Sequence, residues 1–463
     1  MERHPRRERL NRAVLIALFA IAASGCARSA SPVPVTEIEP SSTTVETSTV
    51  NPTSTYTPVP SFTSGPTSTK TPRPTHTPIP AVAFNDRPAD SAYQVPLTVQ
   101  RLTPFEATLH FELNKPSPGW MLYRPEVEEF VGWWAVPIKN DEFVHQVNLV
   151  GLTPGITYSV RVGLGEELES LSAPDLFGSD WGPIQFDVPL LGGPDLRFGV
   201  IGDSGFGDDQ TRELVELMRG YGLDFVLHTG DAVYKASEQS GPAEAYSAKY
   251  FKMFAPLMRE APMFPVLGNH DFDRPVQSEG RPFFLRAFPA LTDPSVPDNA
   301  LGSWYSFERS GIQFIMLDSN AFHGGGGRAE QTAWLEERLA DPNYRLSIPV
   351  FHTPPYTSGL HTNDGKALRL DWTPLFEAAR APLVLSGHDH NYERIILDGV
   401  TYLVSGGGSP VLYRESERVE GSQTFHRKMH FVLVQVFQDR IAITAIDIDG
   451  NVLDQTTIGL SSS

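Results

Sequence analysis

Hydrophobic and polar positions divide the chain into four stretches. An apolar run over residues 13–23 follows a basic segment carrying Arg3, Arg6, Arg7, Arg9 and Arg12. The run is too short to span a bilayer and has the layout of an export signal. From about residue 29 to 83 the chain collapses to Ser, Thr and Pro, a composition that cannot bury enough apolar area to fold. It reads as a tether, kept partly extended by proline. From about residue 92 to 189, short alternating segments such as 108–113 and 144–149 are broken by turn signals, which predicts a small all-β sandwich. Beyond Gly192-Gly193-Pro194, apolar strands alternate with helical stretches, the pattern of a layered α/β domain. The boundaries expected are 1–25 for the signal, 26–85 for the linker, 86–192 for the sandwich and 193–463 for the α/β domain.

In the last stretch, strands are predicted over residues 196–202, 224–230, 263–268, 312–317, 348–351 and 382–386. All but one lead directly into polar residues able to bind metal. The exception ends at Asp318, read as structural. Carboxyl ends of strands form the ligand crevice of open α/β sheets, so these loops are placed to build one site. Two longer runs, 431–437 and 441–448, are expected to complete the domain as a second sheet.

Charge and cysteine content narrow the context. The formal charge of −18 over 463 residues argues against broad capture of nucleic acid or anionic lipid, which needs a positive field. The single cysteine, Cys26, rules out a disulfide within the chain. It follows Ala23-Ser24-Gly25, small residues before a cysteine that resemble the cleavage and lipidation site of bacterial lipoproteins. Removing residues 1–25, with five Arg and two Glu, would take the charge from −18 to −21. The expectation is an extracytoplasmic protein held at a membrane through lipidated Cys26.

Five blocks carry candidate chemistry: Gly202-Asp203-Ser204-Gly205, Gly230-Asp231-Ala232-Val233-Tyr234, Gly268-Asn269-His270-Asp271, Phe351-His352 and Gly387-His388-Asp389-His390. They offer carboxylate, phenol, amide and imidazole groups from strand ends, a mixture that suits two adjacent metals better than one. Singly, each block is an ordinary turn. In this order they resemble the purple acid phosphatases within the calcineurin-like metallophosphoesterases, over roughly residues 90–455, with Gly387 to Arg394 the most specific piece. Residues 147–162, with Pro154-Gly155 and Tyr158, resemble the late strands of a fibronectin type III domain. The resemblance implies a four-layer α+β metallophosphoesterase sandwich preceded by that all-β domain.

It also implies a ligand set. Asp203, Tyr234 and His390 would hold the first metal, Asn269, His352 and His388 the second, with Asp231 bridging. Most metallophosphoesterases have Asp-x-His in the first block; here Gly205 takes the His position and Tyr234 follows the bridging Asp. A phenol of pKa about 10 binds as phenolate only to a strongly Lewis-acidic ion, so Fe(3+) is expected in the first site. Fe(2+), Zn(2+) or Mn(2+) is expected in the second. A metal-bridging hydroxide would then hydrolyse a phosphate monoester. His270 and His361 are the candidate catalytic imidazoles; His361 lies nine residues past His352, followed by Thr362 where the plant pattern tends to have a second His.

Other features read as support. His228 is expected to pack behind the metals, Asp271 and Glu393-Arg394 to brace the site, and Gly324 to Gly327 to form a flexible loop beside His323. A phosphodiesterase or nucleotidase on the same site is the nearest alternative, and a surface binding protein with an inactive second domain is the different class.

Overall fold

The structure, a computed structural model, describes residues 91–176, 179–180, 183–190, 195–234, 241–271, 280–291 and 303–460, with residues 82 and 296. The signal, Cys26 and nearly all of the linker lie outside the described residues. Among the described residues no helix is long and apolar enough to cross a membrane.

Alternating side chains in the first half produce two antiparallel sheets face to face. One sheet joins Tyr93–Leu102, Glu106–Leu113 and Val144–Val150; the other runs Trp134–Ile138, Gly119–Pro125, Thr157–Leu164, Ile184–Asp187. Every second residue of the Glu106–Leu113 strand, Ala107, Leu109, Phe111 and Leu113, is buried in the core. His110 and His145 are buried and Trp133 and Trp134 partly buried, so these rings serve packing.

The second half has two larger sheets. The six-stranded sheet runs Met263–Pro265, Phe225–His228, Leu196–Ile201, His430–Val436, Arg440–Asp447, Val452–Gly459. The seven-stranded sheet runs Tyr305–Arg309, Ile312–Met316, Leu346–Val350, Leu383–Ser386, Val400–Ser405, Tyr392–Leu397, Ser422–His426. All six strands predicted before Gly399 are present. One expectation is corrected: the two late apolar runs do not make a second sheet, because His430–Val436 pairs antiparallel with Leu196–Ile201 and extends the first. The second sheet grows instead from the Ile312–Met316 and later strands. An apolar run records burial on both faces, not which neighbour it pairs with.

The sheets stack through their inner faces. Phe314 and Met316 join the core shared with Phe198 and Leu227, whereas Ile315 and Leu317 belong to the cluster with Trp334, Trp372 and Phe376 of the covering helices. On the opposite side, helix Asp209–Arg219 buries Leu214, Val215 and Met218. It starts where Asp208 accepts the Thr211 N–H, an N-cap that satisfies one of its free donors. The β-sandwich is fastened to this domain by Gln100, whose Nε2 donates to Ala287 O at 2.6 Å, and by Ser247, whose Oγ donates to Gln94 O at 2.9 Å.

Candidate metal centre

Parallel strands of both sheets end at one edge, and the loops that leave them carry the candidate donors. Asp203, Asp231, Asn269 and Tyr234 follow strands of the six-stranded sheet; His352, His388 and His390 follow strands of the seven-stranded sheet. Three of them sit on left-handed backbone, Asp203 at φ 58°, Asp231 at φ 54° and His388 at φ 69°. That region is unfavourable for residues with a side chain, and such strain is held in place only where the surroundings over-determine it.

The donors gather into two groups. Tyr234 Oη lies 3.0 Å from Asp203 Oδ1 and 2.9 Å from His390 Nε2, and His390 Nε2 is 3.5 Å from Asp203 Oδ1. In the second group His352 Nε2 is 3.0 Å from Asn269 Oδ1, 3.2 Å from His388 Nδ1 and 3.4 Å from Asp231 Oδ2. The carboxylate of Asp231 acts electrostatically on Tyr234 and on His352 alike, so it faces both groups.

Each imidazole is aimed by its other nitrogen. His352 Nδ1 is 2.8 Å from Thr229 O, His390 Nδ1 is 2.5 Å from Val411 O, and His388 Nε2 is 3.0 Å from Asp364 Oδ2. Donation to those oxygens leaves a lone pair on the inward nitrogen, the tautomer that binds a metal. The loops are braced in turn. Asp271 accepts N–H donors from Asp231, Val233 and Gly268 together with the Tyr246 hydroxyl. Glu393 accepts from Ser358 and Ser422, and His228 Nε2 pairs with Ser204 Oγ at 2.8 Å. Arg394 does not brace the site; it pairs with Asp454 at 2.7 Å, joining the two sheets.

The electrostatics suit cations. Burial alone would lower His352, but the adjacent Asp231 carboxylate outweighs it and pushes the imidazole up to about 10. Asp231 is correspondingly held well below the usual carboxylate range: burial opposes ionisation, and His352, His270 and His388 more than compensate. A site that attracts a proton this strongly offers the same stabilisation to a metal ion in its place. Burial, then Asp203 and Asp231, push the Tyr234 phenol far up, so its ionisation requires a strongly Lewis-acidic cation. The donors present therefore fit one ion in each group.

The two candidate catalytic histidines flank the groups. His270 donates its N–H to Asp231 Oδ1 at 2.9 Å, and its ring lies 4.6 Å from that of Tyr234. His361 sits 4.3 Å from the His388 ring, its Nδ1 3.0 Å from Asp389 Oδ1. His323 ends a short 3-10 turn and is exposed.

Residues 196–392 match the family model for calcineurin-like phosphoesterases. The α/β domain is a calcineurin-like metallophosphoesterase domain. It is similar to purple acid phosphatase 4 of Arabidopsis thaliana, 23% identical over 283 residues that cover 56% of this chain and 82% of that protein. It is also similar to the Fe(3+)-Zn(2+) purple acid phosphatase 12 of the same plant, 29% identical over 45% of this chain and 46% of that protein. The fold matches purple acid phosphatase PPD1 from yellow lupin seeds with a TM-score of 0.61 at 17% identity, covering 78% of this chain and 74% of that one. The chain spans about half the length, 46–57%, of several of its curated relatives. These relatives imply a dinuclear metal centre in the metallophosphoesterase domain.

Two residues of this metallophosphoesterase site were not singled out from the sequence. Asp389 stands between the candidate donors His388 and His390, and alternation of side chains turns it away to Thr357, Leu360 and His361; that alternation was the available signal. Asp364 lies in the polar stretch Thr362-Asn363-Asp364-Gly365, which looks like any turn until it meets His388.

Proposed function

We propose that this protein is a purple-acid-phosphatase-type phosphomonoesterase, with Fe(3+) among Asp203, Tyr234, His390 and Asp231, and Fe(2+), Zn(2+) or Mn(2+) among Asn269, His352, His388 and Asp231. The observation that carries the reading is a buried phenol hydrogen-bonded into a carboxylate–imidazole cluster at the converging strand ends. When bound, the metal pair supplies Lewis acidity for the phosphoryl oxygens and lowers the pKa of the attacking water. The chain's own residues orient and neutralise. Asp231 joins the two groups, and His270, fixed by its backbone to Asp231, presents its ring beside Tyr234 to a phosphoryl oxygen.

His361 is the group placed to protonate the leaving oxygen. Asp389 holds Nδ1, and Nε2 remains available. Burial works against its charged form, but the Asp389 hydrogen bond and charge prevail and raise it, which keeps a proton on the ring. General acids contribute about 10²–10⁴ in rate. His361→Ala is therefore expected to lower kcat for alkyl monoesters about 100-fold and far less for nitrophenyl phosphate, whose leaving group needs no proton. An equal loss on both substrates in steady-state assays would remove His361 from that role.

Tyr234→Phe is expected to abolish a broad visible charge-transfer band while bound iron falls. A colourless wild-type protein with full activity would overturn the ferric assignment and keep the hydrolase. Parallel assays on a nitrophenyl monoester and a bis-nitrophenyl diester test the monoester preference; faster diester turnover would favour the phosphodiesterase reading.

Anchoring through Cys26 rests on the sequence. Cys26→Ser is expected to move the protein from the membrane fraction to the soluble extracytoplasmic fraction, and unchanged membrane retention would exclude a lipid on this residue. The three-plus-four strand arrangement of the sandwich supports the fibronectin type III reading.

A further inference from the structure

On the solvent side of the metal centre a second set of metal-binding groups comes together. His361, Asp364 and His388 each present one donor atom, and the three atoms lie within 4.8 Å of one another. His388 Nε2 is 3.0 Å from Asp364 Oδ2, while its Nδ1 turns inward to His352 Nε2 at 3.2 Å. The His361 ring stands 4.3 Å from the His388 ring, tilted by 38°. The side chains of His361 and Asp364 are 28% and 42% exposed, so a dissolved ion reaches both.

Orienting His388 takes one acceptor, which Asp364 supplies. That role does not account for His361, which is fixed beside the pair by a separate carboxylate. Its backbone N–H donates to Asp389 Oδ1 at 3.1 Å, and its ring Nδ1 lies 3.0 Å from the same oxygen. The Asp389 side chain is fully buried and accepts from Thr357 Oγ1 at 2.6 Å. A carboxylate on one ring nitrogen is how metal-binding imidazoles are fixed, because it leaves the other nitrogen to face the ion. Two imidazole nitrogens and one carboxylate oxygen suit a zinc-like divalent ion, which takes such ligands at about 2.0–2.2 Å and completes its shell with water.

We propose that His361, Asp364 and the outward nitrogen of His388 form an inhibitory site for a third divalent cation of the zinc class, outside the catalytic pair. The inference rests on the function proposed above, in which His361 protonates the leaving oxygen. As the ion bonds to Asp364 and to Nε2 of both histidines, the protons on those two nitrogens pass to water. An ion already on Nδ1 makes the His388 Nε2 proton easier to remove. With its Nε2 occupied, His361 has no proton to give to the leaving group.

Zinc titrated into the full holoprotein, its resident ions first counted by metal analysis, tests this. A third zinc per chain is expected, with hydrolysis of an alkyl monoester falling about 100-fold as it binds, within the range that general acids contribute. A zinc-soaked crystal, measured on both sides of the zinc edge, is expected to show a peak about 2 Å from Asp364. His361→Ala is expected to keep the two resident ions and to lose the third, and Asp364→Asn to lose the third as well. Uptake that stops at two in the wild type, or a third ion that survives in His361→Ala, would overturn the proposal. Fewer than two ions before titration would count against the dinuclear reading instead, and the zinc taken up by wild type but not by His361→Ala would still decide the outer site.

Discussion

Asp231→Asn is expected to lower phosphate-ester hydrolysis by roughly three to four orders of magnitude and to reduce bound metal below two per chain. The side chain is buried: Oδ2 faces His352 at 3.4 Å, Oδ1 accepts the His270 N–H at 2.9 Å, and its charge also acts on Tyr234 in the other donor group. Asparagine keeps the shape and one carbonyl oxygen but removes the charge that favours two adjacent cations. Transition-state stabilisation by metals amounts to several kcal/mol, and each 1.36 kcal/mol is tenfold in rate. Asp271 continues to receive the three backbone N–H groups that fix these loops, so the variant is expected to fold, as circular dichroism would report. Metal analysis alongside hydrolysis of a chromogenic monoester checks the result. A variant with two metals and wild-type turnover would place the bridging role elsewhere.

Gly205→His, a change that restores the Asp-x-His pattern of other metallophosphoesterases, is expected to inactivate the enzyme even when combined with Tyr234→Phe. The reason is steric. A Cβ at this position would lie 2.5 Å from Val233 N and 2.6 Å from Val233 Cα, against backbone that cannot rotate away. The two loops are also laced together, Tyr234 N–H donating to Gly205 O at 2.9 Å and Gly205 N–H to Asp231 O at 3.2 Å. Any side chain at 205 forces apart the segments that carry Asp203 and Asp231, at about 2–3 kcal/mol by the usual cost of overpacking. Gly205→Ala is expected to show the same loss of metal with a smaller fall in melting temperature. An active, metal-loaded double variant would mean that the two patterns exchange freely and that the close approach at Gly205 is incidental.

Much of this architecture is legible before any coordinates. Strand ends followed by Asp, Asn and His are visible in the sequence, and the structure brings all seven candidate donors into two adjacent groups. What the sequence conceals is of a different kind. Thr229 and Val411 orient His352 and His390 through backbone carbonyls, which every residue type possesses. Asp364 reaches His388 across a turn whose path depends on tertiary packing. The sheet to which the last strands belong is decided by which edge is open next to Leu196–Ile201, not by their own residues. Pro349 shows the same limit: it lies inside the sheet, paired with Ile315, and the neighbouring ladder to Leu383–Ser386 is reduced to Val350 and Leu385. A proline cannot donate to a ladder, and the sheet accommodates it by pairing fully on one side only.

Each donor group draws on both sheets: Asp203 and Tyr234 meet His390 across the interface, and Asn269 meets His352 and His388. Ions bound at these positions would act as rivets through the inter-sheet seam, and their affinity would gauge how the sheets are seated. A cavity cut deep in the shared core, for instance at Phe314 or Leu227, would then register at the rivets as altered metal affinity, although no donor has been touched.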